Sequence, residues 1–330
     1  MTRQPVRWGI LSTGRIAGVF AEALQSIDDA HLVAVGSRSA DSAAAFGDRF
    51  KVPRRYATYE ELAADPDIDI IYIATPHALH YENCLLCLRY GKAVLCEKPF
   101  TINARQAAEV VAVARERGLF LMEAMWTRFL PAIVRLRELL AAGAIGELRM
   151  IASDFGFRAG VDPRSRLFDP ALGGGSLLDV GVYTVSLASM VLGGEPERLA
   201  TLADLGSTGV DEQAAMILGY SGGRIAVLWS AICTETPHET TIMGTRGMIR
   251  IHPQWWRATT LTVHRSGQGD EAIHLPFNGN GYQFEALEAM RCLRAGFSES
   301  PVMPLDETLG IMRTMDAIRA QWGLKYPMEQ

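Results

Sequence analysis
Hydrophobic positions change their spacing along this chain, and the change divides it. Between residues 6 and 125, short apolar runs rich in β-branched residues ("VRWGIL", "HLVAVGS", "DIIYIAT", "AVLCEK", "LFLMEAM") alternate with helically patterned stretches at 15–26, 39–50, 77–90 and 103–117. Strands separated by helix-length segments predict βαβ units, and hence a parallel sheet covered on both faces. A doubly wound α/β domain is expected over residues 1–125. After a further helix at about 132–142 the rhythm becomes strand, tight turn, strand. "EQAAMILGY", the Ser221-Gly222-Gly223 turn and "RIAVLWSAI" predict one hairpin; "ETTIM", the Gly244–Gly247 turn and "MIRIH" predict another. Residues 126–330 therefore read as an α+β domain with a large, mainly antiparallel open sheet. "ELRMIASDFGF" is expected to join that sheet. The Leu177–Leu192 helix and two late helices, at about 282–295 and 306–322, are expected to pack around it, with Asp306 as N-cap of the last and Gly323 just past its end.

Composition adds limits rather than detail. A chain of 330 residues, 48% apolar and 21% charged, can bury two cores. A net charge of -5 leaves no global basic surface, so nucleic acid is not an expected partner. Five cysteines (Cys84, Cys87, Cys96, Cys233, Cys292), an odd and scattered set with no charged-then-apolar leader before them, point to a reducing cytoplasm. The stretch nearest to a membrane span is "SLLDVGVYTVSLASMVLGG". Asp179 would cost it ~2.5–3.5 kcal/mol near a bilayer centre, so it reads as a buried helix of a soluble protein with no membrane partner.

Candidate chemistry starts at "LSTGRIAG". A dinucleotide-binding turn has the form G-x-G-x-x-G/A, and the register that puts Gly14 second and Ala17 third puts Ser12 first. Gly14 is the member that lets phosphates approach, Ala17 need only be small, and Arg15 and Ile16 open a helix whose N–H groups suit a pyrophosphate. Ser12 is acceptable if the turn needs no positive φ there. At the end of the second strand an NAD-preferring domain places an acid about 20 residues on, to bind the ribose 2′-hydroxyl. Here the strand ends "VGSRS", and Ser37 and Arg38 stand in its place. A guanidinium suits a 2′-phosphate, which favours NADP over NAD; Asp41 nearby pulls the other way, and a solvated surface arginine is the alternative.

Lys98, in "CEKPF", follows the fourth strand, at the sheet edge where open α/β folds hold ligands. Pro99 keeps Lys98 out of helical backbone. Far along the chain, "GGGSLLDVGVY" sets Asp179 and Tyr183 four apart on a predicted helix, on one face. A cation beside a phenol favours the phenolate and makes tyrosine a proton donor and acceptor near neutrality, and Lys98 is the candidate cation. A satisfied buried polar pair would look the same in sequence.

The altered glycine turn, Glu97-Lys98-Pro99 and the Gly-Gly-Gly…Asp-x-x-x-Tyr helix together resemble the glucose–fructose oxidoreductase, inositol dehydrogenase and MocA (Gfo/Idh/MocA) family over essentially the whole chain. Tyrosine at 183 where most members carry histidine, with "MWTRFLP" and "LFDPALGGGSLLDVGVY", is similar to the branch of dimeric dihydrodiol dehydrogenases and NADP-dependent D-xylose dehydrogenases. The resemblance implies a Rossmann domain and NADP-dependent hydride transfer at a carbinol or carbonyl carbon of a small polyol, a sugar or a trans-dihydrodiol. It implies Tyr183 as general acid/base, Lys98 as the group that lowers its pKa and holds the substrate oxygen, and Asp179 as their orienting partner. It places the cofactor at Ser12, Gly14, Arg15, Ile16, Arg38, Thr75, Pro76, His77, His80, Glu97 and Lys98. It places substrate against Trp126, Arg128, Phe155 and Phe157, besides Asp179 and Tyr183. Hydride transfer needs one proton handler and one oxygen-stabilising cation, so no metal is required.

Other features have plainer readings. His77, His80, Cys84 and Cys87 have a spacing that suggests zinc, but one rigid helix spreads them over roughly 15 Å and cannot wrap a tetrahedral ion. Trp255 and Trp256 fit a substrate cavity, an oligomer interface or simple packing. Arg158, Arg166 and His238 are further pocket candidates. A sheet covered by helices on one face leaves the other for a second copy, so a homodimer through the C-terminal sheet is expected. The rival class is a non-catalytic redox sensor or binding module, which need not keep Lys98, Asp179 and Tyr183 together.

Overall fold
The computed structural model describes residues 4–329, which form two compact units. The first comprises the chain up to Thr101, Arg105–Trp126 and Asn278–Thr308; the second comprises Ile102–Ala104, Thr127–Phe277 and the chain from Leu309 onward.

Six parallel strands make the sheet of the first unit: β1 (Val6–Leu11), β2 (Ala30–Gly36), β3 (Arg54–Tyr56), β4 (Ile70–Ile73), β5 (Ala93–Glu97) and β6 (Leu121–Ala124). Their order is β3-β2-β1-β4-β5-β6, with helices α1 (Arg15–Gln25), α2 (Ala40–Phe50), α3 (Tyr59–Ala64), α4 (His80–Arg89) and α5 (Ala104–Arg117) between them. The order reverses between β1 and β4, and ligands of doubly wound sheets lie at the carboxyl ends beside that switch. The continuous apolar runs predicted as strands are buried on both faces, β4 and β5 at every residue. Sequence patterning missed β3 and α3. "RRY" pairs only with β2 at the sheet edge, and three polar-rich residues carry no periodicity to read.

The second unit holds eight strands: β7 (Leu148–Gly156), β8 (Arg198–Leu205), β9 (Asp211–Tyr220), β10 (Arg224–Ala231), β11 (Thr240–Gly244), β12 (Gly247–Ile251), β13 (Thr260–Arg265) and β14 (Glu271–His274). Their order is β14-β13-β12-β11-β7-β10-β9-β8, antiparallel except for the parallel pair β7 and β10. Both predicted hairpins form, and "ELRMIASDFGF" supplies β7. Alternation then sorts the side chains. Met216, Leu218, Leu228, Ile242, Ile249 and Leu261 are buried on one face, while Leu202, Ile217 and Met248 are exposed on the other. α6 (Pro131–Ala141) packs on β13, and α7 (Val182–Leu192) packs on β7 and β10. The Pro170–Leu192 segment is apolar enough to cross a membrane by composition, but 94% of its best window is buried in the unit.

Two expectations about the late helices are corrected. α8 (Gln283–Ala295) packs with α1 in the first unit, not around the second sheet. Asn280 donates to the Val19 carbonyl (2.8 Å), Arg294 pairs with Asp29 (2.8 Å), and Leu121 N–H donates to the Ser298 carbonyl (3.0 Å). A linear cut at 125/126 therefore misses a returning segment of the first unit. α9 (Leu305–Trp322) starts one residue before Asp306, which lies inside the first turn and pairs with Arg115 (2.9 Å) instead of capping.

Candidate active site
The nucleotide side is built where β1 turns into α1. Ser12 N–H donates to the Gly36 carbonyl (2.9 Å), and Ser12 adopts φ 109°. The turn does need a positive φ at this position, contrary to the condition under which serine was acceptable, and a non-glycine residue there stores ~1–3 kcal/mol of strain. The Ser12 Oγ compensates in part by accepting from the Gly14 N–H (3.3 Å). Gly14 is the N-cap of α1; a Cβ there would meet only Ser12 Oγ, at 3.6 Å, so the missing side chain keeps open space above the turn. α1 has no side-chain cap and no acid in its first turn. Its leading N–H groups, those of Arg15 and Ile16 among them, thus form the kind of site a pyrophosphate fits.

Beyond β2, Ser37 is buried; its Oγ accepts from the Ser39 N–H (3.4 Å) and lies 3.5 Å from the Thr13 hydroxyl. Arg38 is exposed, and its charge acts on the phenol of Tyr59, a neighbour not evident in the sequence. Asp41 is exposed in the first turn of α2, whose N-cap is Ser39.

The loops after β4 and β5 are tied together by one histidine. His80 is fully buried, with Nδ1 2.8 Å from the Pro99 carbonyl and Nε2 2.9 Å from the Thr75 carbonyl. Burial lowers its pKa, against the pull of those carbonyls. Its ring lies between two loop carbonyls, and the nitrogen that carries the proton donates to one of them, so His80 ties the two loops together. Thr75 is fixed further by Asn83, which donates to its hydroxyl (3.1 Å), and Pro76 precedes a 3-10 turn, His77–Leu79, in which His77 is buried. Cys84 and Cys87 line the buried side of α4, and burial pushes the Cys87 thiol well above its usual range, as for an inert structural thiol.

Glu97 ends β5; it accepts from the Tyr72 hydroxyl and, at 3.1 Å, from the Lys98 N–H. Lys98 is half-buried at the carboxyl edge, and the Lys98-Pro99 bond is cis. Glu285 of α8 is fully buried with neither oxygen hydrogen-bonded, and burial and the Glu97 charge push its carboxyl well above the usual carboxylate range. Tyr72 and Glu285 carried no sequence signal, since each sits in an ordinary strand or helix pattern. Trp126 stacks on Tyr282 (4.7 Å, 15°) in the same unit.

In the second unit, the Asp179 and Tyr183 helix is not one regular α-helix. Leu177–Gly181 is a π-helical turn that runs into α7, so Asp179 and Tyr183 are not on simple i, i+4 geometry. Such turns recur at functional sites. Asp179 is 5% exposed and accepts from Arg166 (2.7 Å). Tyr183, 6% exposed, lies against Phe155 (5.4 Å, tilted 50°) and Trp255 (6.5 Å, edge-on). Phe155 stacks on Trp256 (3.5 Å, 7°), and His238 sets its ring edge-on to both (5.7 and 4.7 Å). His238 adopts φ 62°, held by the Asp154 carboxylate, which accepts from the His238 N–H (2.7 Å) and the Glu239 N–H (3.0 Å). Trp255, Trp256 and His238, left open by sequence, thus join Phe155 and Tyr183. Phe157 is half-buried and hydrogen-bonds through its N–H to the Ala231 carbonyl (3.1 Å). Arg128, expected at the substrate, is buried and donates to the Ser186 carbonyl (2.9 Å) and hydroxyl (3.0 Å) on α7.

A glycine turn open to phosphates and a buried phenol on an interrupted helix are the parts of a Rossmann-fold oxidoreductase. The oxidoreductase family with an NAD-binding Rossmann fold matches residues 6–125, and the GFO/IDH/MocA C-terminal domain matches residues 133–250. The chain belongs to the GFO/IDH/MocA family. A trans-1,2-dihydrobenzene-1,2-diol dehydrogenase of Xenopus laevis is 41% identical over 329 residues, 97% of this chain and 99% of that protein. The structure of a 3-ketoreductase from Actinomadura kijaniata, in complex with NADP and TDP-benzene, matches with a TM-score of 0.83 and 28% identity over 96% of this chain and 98% of that one. An aldose-aldose oxidoreductase from Caulobacter crescentus shares the fold, with a TM-score of 0.88 and 24% identity over 97% of this chain and 99% of that one.

Proposed function
We propose that the protein is an NADP-dependent dehydrogenase that moves a hydride between the nicotinamide and a carbinol carbon of a small polyol, a sugar or a trans-dihydrodiol. The N–H groups of Gly14, Arg15 and Ile16, with Ser12, would hold the pyrophosphate. Arg38 and Ser37 would take the 2′-phosphate where NAD-specific domains put an acid. The loop Thr75, Pro76 and His77 and the Glu97-Lys98 pair would flank the nicotinamide side. The NADP complex of the Actinomadura relative supports this choice of coenzyme.

When bound, the nicotinamide accepts or supplies the hydride. Tyr183 takes the proton from the substrate hydroxyl in oxidation and returns it in reduction. On this reading Lys98 has the role of the cation that favours the phenolate and steadies the substrate oxygen. Asp179, held by Arg166, orients the proton handler. Phe155 and Phe157 give substrate an apolar wall, while Arg128 acts through α7 by fixing Ser186. The observation that carries this reading is Tyr183 itself: a buried phenol on a π-interrupted helix, beside Asp179 and edged by aromatic rings, in a chain 41% identical to a dihydrodiol dehydrogenase. The test is a screen of aldoses, inositols and trans-dihydrodiols with NADP and NAD in parallel, read as nicotinamide absorbance. Turnover with NADP on one of these classes is expected; coenzyme binding without turnover on any would replace the enzyme by a redox sensor.

We also infer a homodimer through the second sheet. Its uncovered face carries Leu202 (77% exposed), Ile217 and Met248, and a groove of about 740 Å³ runs between Leu202, Ala215, Trp229 and Pro237. A flat apolar face of this kind is self-complementary about a two-fold axis. Light scattering should give twice 36.1 kDa, and Leu202→Glu should return the monomer mass. A wild-type monomer at micromolar concentration refutes it. Five cysteines outside any disulfide support a reducing, cytoplasmic compartment.

A further inference from the structure
Asp211 opens β9 with its side chain fully buried. Its Oδ2 accepts from the Leu177 N–H at 2.6 Å and from the Ser176 hydroxyl at 2.8 Å, the two residues that begin the π-helical turn. The Ser176 hydroxyl lies in turn 2.9 Å from that of Ser230. Oδ1 has no hydrogen-bond partner and rests against Gly175, at φ 117°, where a Cβ would come within 2.2 Å of it. Carboxyl and turn are therefore built around each other, and only glycine fits between them. A neutral side chain could make the same two hydrogen bonds without burying a charge, so a carboxyl here asks for a reason other than folding.

We propose that Asp211 is a positioning residue of the reaction: its carboxylate pins the π-helical turn that aims Asp179 and Tyr183, and full activity requires it ionised. The proposal rests on the reading of Tyr183 as the proton handler. The groups that face Asp211 are Ser176 and Leu177 from the turn, Ser230 from β10, Arg319 from α9 and Tyr326 from the segment after α9. Arg319 is already matched by Asp316 (2.7 Å) and Glu329 (2.8 Å), and Tyr326 donates to the Gly174 carbonyl (2.6 Å). Burial pushes the Asp211 carboxyl up to about 6, against the hydrogen bonds from Leu177 and Ser176 and the Arg319 charge. Protonation at Oδ1 leaves both contacts on Oδ2 but removes their charge assistance. The turn then relaxes toward α-helical register and Asp179 rotates relative to Tyr183. The fold itself prefers the neutral acid, because a folded pKa above the unfolded value gives stability that is present at low pH and lost as pH rises through about 6. Activity and stability therefore pull in opposite directions at this residue.

Asp211→Asn is an isostere of the protonated acid. At pH 8 its kcat should fall about fivefold, the difference between a charge-assisted and a neutral hydrogen bond, with NADPH affinity unchanged. The acid limb of the wild-type kcat profile, with a midpoint near 6, should vanish. Its melting temperature at pH 8 should equal or exceed that of wild type. Wild-type kcat and an intact acid limb in the variant, or activity and melting temperature falling together, would overturn the proposal. Should the variant not fold, wild type measured from pH 8 to 5 decides: kcat must fall through about 6 while the melting temperature holds or rises, and a parallel loss of both refutes it. Tyr183→Phe separates the layers. If that variant keeps wild-type turnover, the underlying reading of the site fails, whereas an inactive Tyr183→Phe beside an unaltered Asp211→Asn condemns Asp211 alone.

Discussion
In the first unit every group assigned to the coenzyme sits within a few residues of a strand's carboxyl end: Ser12 to Ile16 after β1, Ser37 and Arg38 after β2, Thr75 to His77 after β4, and Glu97 and Lys98 at β5. In the second unit the surroundings of Tyr183 come from the end of β7, the approach to β11 and the turn after β12. A parallel sheet with short connections gathers its functional groups by topology alone, so local motifs suffice. A mixed open sheet gathers them through long-range packing, and its residues look unremarkable one at a time. The contrast extends to how strain is held: Ser12 is strained by its own turn, whereas His238 is held in left-handed backbone by a carboxylate from another strand.

If the division of labour is right, damage to the two units should separate into binding and chemistry. The largest effect belongs to the second unit. Tyr183→Phe should lower turnover about 100-fold or more, since general acid–base help is worth ~10²–10⁴, and leave NADPH affinity as it was. An equal loss of NADPH affinity would break the comparison. Next comes Gly14→Val. A Cβ there meets only Ser12 Oγ, so the fold should tolerate the change while NADPH binding, followed by fluorescence, weakens about tenfold to 100-fold for loss of close phosphate approach. An unfolded variant or unchanged affinity would remove the turn from the coenzyme site. Arg38→Ala should weaken NADPH about tenfold and NADH hardly at all, one charge-assisted contact being worth ~1.5–3 kcal/mol. Equal effects on both would return Arg38 to a solvated surface role. The smallest effect is Ser12→Gly. Relief of the φ 109° strain, offset by glycine's unfolded-state entropy and the lost Oγ contact, should net at most about 1 kcal/mol, a rise of ~2 °C in calorimetry. A clear drop would mean that the serine supports the turn more than it strains it.

Much of this was legible in the chain, and what escaped has a common cause. The five long strands of the first sheet, both hairpins of the second and the Ser12–Ile16 turn follow from periodicity and turn residues. β3 was too short to show a period, and the return of α8 to the first unit is decided by partners such as Val19 and Asp29 that its own sequence cannot name. That His80 sits between the Thr75 and Pro99 carbonyls could not be read from its place after a strand end. The π-helical turn is invisible to residue spacing, since "SLLDVGVY" has ordinary helical composition.

The sequence by itself determined the two-part α/β and α+β architecture, the glycine turn after the first strand and the residue types available for proton and hydride chemistry, because each is encoded by neighbours within a strand, a turn or one helical face. Tertiary structure decided which aromatic rings border Tyr183, which carbonyls the ring of His80 meets, and that Asp211 meets the helix start. Those outcomes depend on burial and on hydrogen bonds between segments far apart in the chain, and no local pattern encodes them.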